Sequence, residues 1–345
     1  RAGATPRDIE HSIRRIEEAQ ESVEETRVPL HPRCAAEIRR PRHECLARRG
    51  DGCGLEIVGV LKGYCERLKG SHVPITPSEI QAIVLNEDDF GHEMRVGKIL
   101  TNVEYPEIVY EQTCVMPPHH GGTYEDQVTG KTRQFDYRCQ IVRGRASSKS
   151  IFLAAECKNL KPDLPLVVCG RPRTSEESYH VFIGRGDDGK SFLRKVDGFN
   201  SIYKPDDFVG KNLLRLKKKD NRLCADGDSE IYDKWSQALA SSHDLAFGAV
   251  YNNPPPKSCA FVLPLVVVPD DSLWTVCYKD DGALDGDPKQ VNQCEFYVDQ
   301  KLLIGLPFVL THIHFVTLKG LSHMLSNFVA AGSRTWDTIF SKASS

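Results

Sequence analysis

The chain has 345 residues, of which 40% are hydrophobic and 27% are charged, so it has enough apolar material to form a core, and disorder of the whole chain is excluded. The longest apolar run, residues 259–268, is half of the roughly 20 residues that a membrane-spanning helix needs, so we expect no membrane span. The net charge of −2 excludes a chain-wide attraction to nucleic acid, and any such contact must come from local patches.

Twelve cysteines are spread along the chain and lie mostly in apolar runs that are typical of strands. Nothing at the N-terminus resembles the apolar core of a signal peptide. We therefore expect reduced, buried thiols and a cytoplasmic or nuclear location, not a secreted disulfide scaffold.

Residues 1–70 are predicted to form a helical N-terminal region, since Ile9, Ile13, Ile16 and Val23 follow at helical spacing among many charges. Cys34, His43, Cys45 and Cys53 lie in this region. Their spacing lacks the short Cys-x₂₋₄-Cys unit of zinc sites, so a zinc site is the less favoured interpretation of these four residues.

A second unit, residues 71–330, begins with a helix-start signal. Thr76 can be the N-cap, Pro77 the first helical residue and Glu79 the reciprocal partner in a capping box. The helical pattern continues to about residue 100, with a break near residues 88–89. We expect residues 331–345 to be a tail.

After residue 100 the pattern changes to strands separated by turns. The predicted strands are 108–116, 133–142, 150–158, 179–183, 261–268, 273–278 and 309–317, and the predicted helices are 231–247 and 321–329. We expect 261–268 and 273–278 to form a hairpin. Helices interleaved with strands predict an α/β or α+β core.

The most informative strand is residues 150–158. Alternate side chains of a strand share a face, so Glu156 and Lys158 lie side by side at the end of a strand whose other residues are apolar. Burying an acid and a base is costly unless they pair or hold a metal ion. The position of these two residues therefore indicates a catalytic or metal-binding site.

Asp136 lies twenty residues upstream of Glu156, near the start of the preceding strand. If the two strands pair antiparallel, Asp136 comes beside Glu156. Two carboxylates and a backbone carbonyl can hold Mg²⁺ through oxygen ligands, and a neighbouring lysine can orient an attacking water and offset developing negative charge.

Asp136 followed by Glu156, Cys157 and Lys158 resembles the PD-(D/E)xK motif of restriction-endonuclease-like nucleases, over roughly residues 76–200. Phe135 stands where the motif has proline. Many members of that superfamily also place a glutamate on the helix before the sheet, and Glu93, in Phe90-Gly91-His92-Glu93, fits this pattern.

The resemblance implies an α/β, restriction-endonuclease-like core, which is a mixed central β-sheet flanked by helices. It also implies a metal-dependent nuclease that hydrolyses nucleic acid, with DNA favoured as the substrate and RNA not excluded by the residues. It implies Mg²⁺, or Mn²⁺ in its place, held by Asp136 and Glu156 with support from Glu93, and Lys158 positioning the attacking water. A homodimer is a further expectation.

Basic residues around the motif suit a polyanion, because phosphate contacts position a nucleic-acid backbone. We expect nucleic-acid contacts from the residues in the loop after Asp136 and from those that follow Lys158: Arg143, Arg145, Lys149, Lys161, Arg171 and Arg173. A later cluster comprises Lys217, Lys218, Lys219 and Arg222.

Two other functions remain open. In the first, the fold is a nuclease-like binding module without activity, and Glu156 and Lys158 form only an ion pair. In the second, His312, His314 and His323 hold zinc in a hydrolase. The apolar neighbours of His312 and His314 favour a structural strand instead, with both histidines on its more polar face.

Overall fold

The computed structural model describes residues 75–87, 89–103, 113–127, 129–143, 148–161, 163–220, 222–226, 229–251, 258–303, 307–330 and 334–341. Contacts divide the chain into Arg1–Val73 and Pro74–Ser345. The predicted helical region 1–70, with its four candidate zinc ligands, lies outside the described residues. In the described part, every helix is too short or too polar to cross a bilayer.

Five helices are described, and the break predicted near residues 88–89 separates the first two. Thr76 forms the predicted capping box with Glu79, since the Thr76 backbone N–H donates to Glu79 Oε2 at 2.8 Å and Glu79 N–H donates to Thr76 Oγ1 at 3.3 Å. The helices are α1 (Pro77–Glu87), α2 (Phe90–Thr101), α3 (Ser229–Tyr251), α4 (Leu318–Val329) and α5 (Arg334–Ile339).

Sixteen strands are described. They are β1 (Thr113–Val115), β2 (His119–His120), β3 (Thr123–Asp126), β4 (Lys131–Gln134), β5 (Tyr137–Arg143), β6 (Lys149–Cys157), β7 (Leu166–Pro172), β8 (Tyr179–Arg185), β9 (Ser191–Asp197), β10 (Phe208–Lys219), β11 (Arg222–Asp226), β12 (Cys259–Val268), β13 (Leu273–Cys277), β14 (Lys289–Gln290), β15 (Gln293–Leu303) and β16 (Pro307–Thr317).

Fourteen of these strands form one mixed sheet in the order β1-β5-β6-β12-β16-β15-β10-β7-β13-β14, with β2, β8, β9 and β11 attached to it, while β3 and β4 pair separately. β12 runs parallel to both β6 and β16, whereas β5 and β6 are antiparallel. The predicted α/β class, with a mixed central sheet flanked by helices, is confirmed.

Both faces of the central strands are buried, which explains their nearly continuous apolar sequences. On β6, Ile151, Leu153 and Cys157 belong to the core layer that includes α2, α4 and α5, while Phe152 packs against the layer that includes α3. Since strand side chains alternate, Glu156 shares the face of Phe152 and points toward α3.

Two predictions about chain connections are wrong. β12 and β13 do not form a hairpin, because after the turn at residues 269–272 β13 pairs parallel with β7 instead. Residues 334–341 are not a tail, because Trp336, Ile339 and Phe340 are buried in the core beside α4.

Candidate active site

Asp136 and Glu156 lie together at the open end of the β5–β6 hairpin. The register pairs Tyr137 with Ala155, so the residues one step further out, Asp136 and Glu156, face each other. Asp136 Oδ2 accepts a hydrogen bond from the Cys157 backbone N–H at 2.7 Å. This bond fixes the Asp136 carboxylate beside the end of β6.

Glu156 is fully buried, and within the described part of the chain neither of its carboxylate oxygens has a hydrogen-bond donor. Burial and the neighbouring Asp136 carboxylate raise the pKa of Glu156 well above its ordinary value. Burying a carboxylate without hydrogen bonds costs free energy of folding, so Glu156 lowers the stability of the folded protein.

Lys234, on the first turns of α3, provides the nearest compensating charge. Its Nζ lies 2.7 Å from Asp136 Oδ2 and 3.6 Å from Glu156 Oε2. Burial acts to lower the pKa of Lys234, but the carboxylates of Asp136, Glu156 and Asp89 outweigh it and raise that pKa. Sequence reasoning missed Lys234, which is remote in the chain and lies in an ordinary helical pattern.

Lys158 is held at the end of β6 by Asp89, the residue before α2. The Lys158 Nζ lies 3.2 Å from Asp89 Oδ2, and the Asn159 backbone N–H donates to Asp89 Oδ1 at 2.7 Å. Asp89 thereby ties the start of α2 to the strand end and sets the direction of the Lys158 side chain.

Glu93, on α2, was predicted to support the metal ion held by Asp136 and Glu156, but it is paired with His120. Its Oε2 lies 3.2 Å from Nε2 of His120, whose ring stacks on Tyr137 with centroids 4.5 Å apart. Glu93 is near enough to raise, together with burial and Asp136, the pKa of the Cys157 thiol. It borders the site without joining the Asp136–Glu156 pair.

A cavity of about 570 Å³ lies along the part of the β5–β6 hairpin that faces α3. Phe135, Arg138, Phe152 and Leu245 are among its lining residues. The Arg138 guanidinium lies over the Phe135 ring at 4.3 Å and donates to Asp244 on α3 at 2.6 Å. Neither Asp136 nor Glu156 is among the residues that line this cavity.

The predicted nucleic-acid contacts in the loop after β5 are misplaced. Arg143 pairs with Lys149 at the closed end of the hairpin, seven residues along β5 from Asp136, which is roughly 23 Å away at 3.3–3.4 Å per residue. Their cationic groups lie over the rings of Trp336 and Phe340. Arg145 lies outside the described residues.

The basic residues after Lys158 divide into exposed and buried ones. Lys161 is exposed near the site end of β6. Arg173 is 2% exposed and donates to the Lys204 carbonyl at 2.8 Å, so its prediction as a nucleic-acid contact is wrong. Arg171 is engaged by Glu177 at 2.9 Å.

The histidines of β16 also differ from the prediction. His312 and His314 are buried, not on a polar face, because β16 is a central strand covered on both sides. The His312 ring stacks on Tyr203 at 3.7 Å, and His314 Nε2 lies 2.9 Å from the Tyr203 hydroxyl. His323 is exposed on α4. The three histidines do not form the predicted zinc group.

Burial, assisted by the positive charge of Arg173, lowers the pKa of His314 to about 3. Between about pH 6.5 and pH 3 the unfolded chain therefore binds a proton at this residue that the folded protein does not bind. The free energy of unfolding decreases as the pH is lowered through this range. His314→Gln should flatten the slope of the unfolding free energy against pH by up to about 1.4 kcal/mol per pH unit, measured by urea titration. His323→Gln is the control, and an unchanged slope in His314→Gln would contradict this origin.

Among the described residues, no group of three or more His, Cys, Asp or Glu side chains is arranged to hold a metal ion. The Asp136–Glu156 pair by itself still has the donor chemistry that a divalent cation takes. Oxygen donors suit Mg²⁺, which usually binds through one or two carboxylates and keeps several waters. Among the described residues the Glu156 oxygens accept no hydrogen bond, which fits such an ion.

Comparison with known proteins assigns no family. The chain matches no family model, no curated protein and no solved structure. The functional conclusion therefore depends on the residues and the geometry described above.

Proposed function

We propose that the chain is a Mg²⁺-dependent nuclease with a restriction-endonuclease-like core that hydrolyses phosphodiester bonds of DNA. The observation that carries the proposal is the buried Glu156 carboxyl group, which faces Asp136 at the end of two paired strands and has its pKa raised by burial and by that neighbour. Carboxyl groups whose pKa is strongly raised by burial and by a neighbouring carboxylate are typical of functional sites.

Asp136 and Glu156 would hold Mg²⁺, or Mn²⁺ in its place. When bound, such an ion polarises a phosphoryl oxygen and lowers the pKa of a coordinated water. Lys158 would orient the attacking water and offset the negative charge that develops on the phosphoryl oxygens, with its direction set by Asp89. Glu93 would act from the edge of the site through His120, with which it is paired.

A homodimer and a cytoplasmic or nuclear location remain predictions.

A second function is favoured by one observation, the position of Lys234. Its ammonium group already compensates the charge of both carboxylates. This arrangement is also expected of an ion-pair network with a purely structural role. The alternative is therefore a nuclease-like module that binds nucleic acid or protein without cleaving it.

The test is metal removal and return with the purified full chain. We expect it to cleave linear duplex DNA with Mg²⁺ or Mn²⁺, to lose cleavage in EDTA and to recover when Mg²⁺ is added back. Because an ion that binds the folded state stabilises it by mass action, Mn²⁺ should also raise Tm in the absence of DNA. If neither ion changes Tm or supports cleavage, the nuclease proposal is wrong.

A further inference from the structure

The strands β10 and β11 form a two-stranded ribbon that extends beyond the main sheet. β10 pairs with β7 up to Arg215, which lies opposite Leu166. From Arg215 to Lys219, β10 pairs with β11. We call residues 215–226 the basic ribbon, since five cations and two carboxylates occur in this segment.

Four of these cations share one face of the basic ribbon, and that face also carries Asp226, which pairs with Arg215. Lys217 pairs with Cys224 and Lys219 pairs with Arg222, so the alternation of strand side chains places Lys217, Lys219 and Arg222 on the same face as Arg215. Lys217, Lys219 and Arg222 are exposed. Lys218, on the other face, is paired with Asp163 at 2.6 Å.

The Lys219–Arg222 pair is unfavourable for the ribbon alone, because like charges directly opposite each other destabilise antiparallel strands. A polyanion bound to this face would remove that repulsion. The charge arrangement therefore favours a partner with closely spaced negative charges, such as a phosphate backbone.

The chain connections place the basic ribbon at the end of the sheet that carries Asp136 and Glu156. Val267 of β12 pairs with Cys157, and only the short turn at residues 269–272 separates β12 from Leu273, which pairs with Leu166 at the ribbon's base. On the other side, α3 begins three residues after β11 ends and carries Lys234 into the site.

We propose that the basic ribbon binds the phosphate backbone of a DNA duplex and delivers it to the neighbouring carboxylates, an inference that rests on the proposed function for the identity of the duplex. It takes the place of the predicted contacts at Arg143 and Lys149, which lie at the far end of the hairpin. The major groove of B-form DNA admits a two-stranded ribbon, whereas that of an RNA helix is too deep and narrow.

The experiment measures binding of a short labelled DNA duplex by fluorescence anisotropy in EDTA, so that cleavage does not contribute. The variant combines Lys217→Gln, Lys219→Gln and Arg222→Gln, and it should bind about tenfold more weakly at about 50 mM salt. The slope of log K against log salt concentration should decrease by up to about 2.7, which is 0.9 for each lost phosphate contact.

The matched control carries Lys190→Gln, Arg194→Gln and Lys195→Gln on the β8–β9 hairpin, which joins β12 at Cys259, the strand end opposite Val267. It should bind DNA as the wild type does. Equal losses in both triple variants, no loss in the ribbon variant, no binding by the wild type, or preference for an RNA duplex would each overturn the inference. Loss confined to the ribbon variant supports it even if the wild type cleaves nothing.

Discussion

Glu156→Gln is expected to abolish Mg²⁺-dependent cleavage and, in the same protein, to raise the stability of the metal-free fold. The carboxylate is buried and accepts no hydrogen bond from any residue that the structure describes, and burial and Asp136 raise its pKa. A carboxyl group with a raised folded-state pKa lowers stability above its unfolded value, so removing the ionisable group relieves that cost at neutral pH.

The expected loss of cleavage is at least about a hundredfold, as for removal of a group that stabilises developing charge. The expected gain in stability is about 1–2 kcal/mol, comparable to gains from replacing buried charges, or a few degrees in Tm. Initial rates on linear DNA and thermal melts in EDTA measure the two effects on one preparation.

Glu295→Gln is the matched control, because the pKa of Glu295 is likewise raised by burial. Its carboxylate, however, lies 3.4 Å from the buried guanidinium of Arg173, so neutralising it weakens an existing ion pair. Glu295 lies on β15, three strands from β6 in the sheet, so this variant should keep its cleavage rate. A Glu156→Gln protein that cleaves at the wild-type rate would remove the proposed function, and one that melts lower would show that Glu156 is a structural group.

The placement of Asp136 and Glu156 could be predicted from sequence because it depends on local patterns alone. Apolar residues identify two neighbouring strands, a polar loop joins them, and antiparallel pairing then brings the start of one beside the end of the next. The same geometry puts the loop cations Arg143 and Lys149 at the opposite end, a consequence that sequence reasoning could have drawn.

Lys234 could not be predicted in this way. It lies 98 residues after Asp136, and its role depends on how α3 packs across β6, which local patterns do not determine. The pairing of β13 with β7 and the burial of His312 and His314 were missed for the same reason, since both depend on which strands become neighbours in the sheet.

Lys234→Met is expected to destabilise the metal-free protein and to increase its response to divalent cations. Removing the ammonium leaves Asp136 and Glu156 facing each other in a buried setting, and breaking a buried ion pair from one side typically costs about 3–5 kcal/mol. If the carboxylates bind a metal ion, the ion then replaces the lost positive charge without competing with Nζ, which lies 2.7 Å from Asp136.

Thermal melts with increasing Mn²⁺ measure this exchange without reference to cleavage. A metal affinity tenfold tighter than that of the wild type adds about 1.4 kcal/mol of stabilisation at saturating ion. Lys158→Met is the control, because Lys158 is paired with Asp89 rather than with the two carboxylates, and its response to Mn²⁺ should match the wild type. A Lys234→Met protein that is destabilised but indifferent to Mn²⁺ would mean that the lysine completes a structural ion pair and that the site holds no metal.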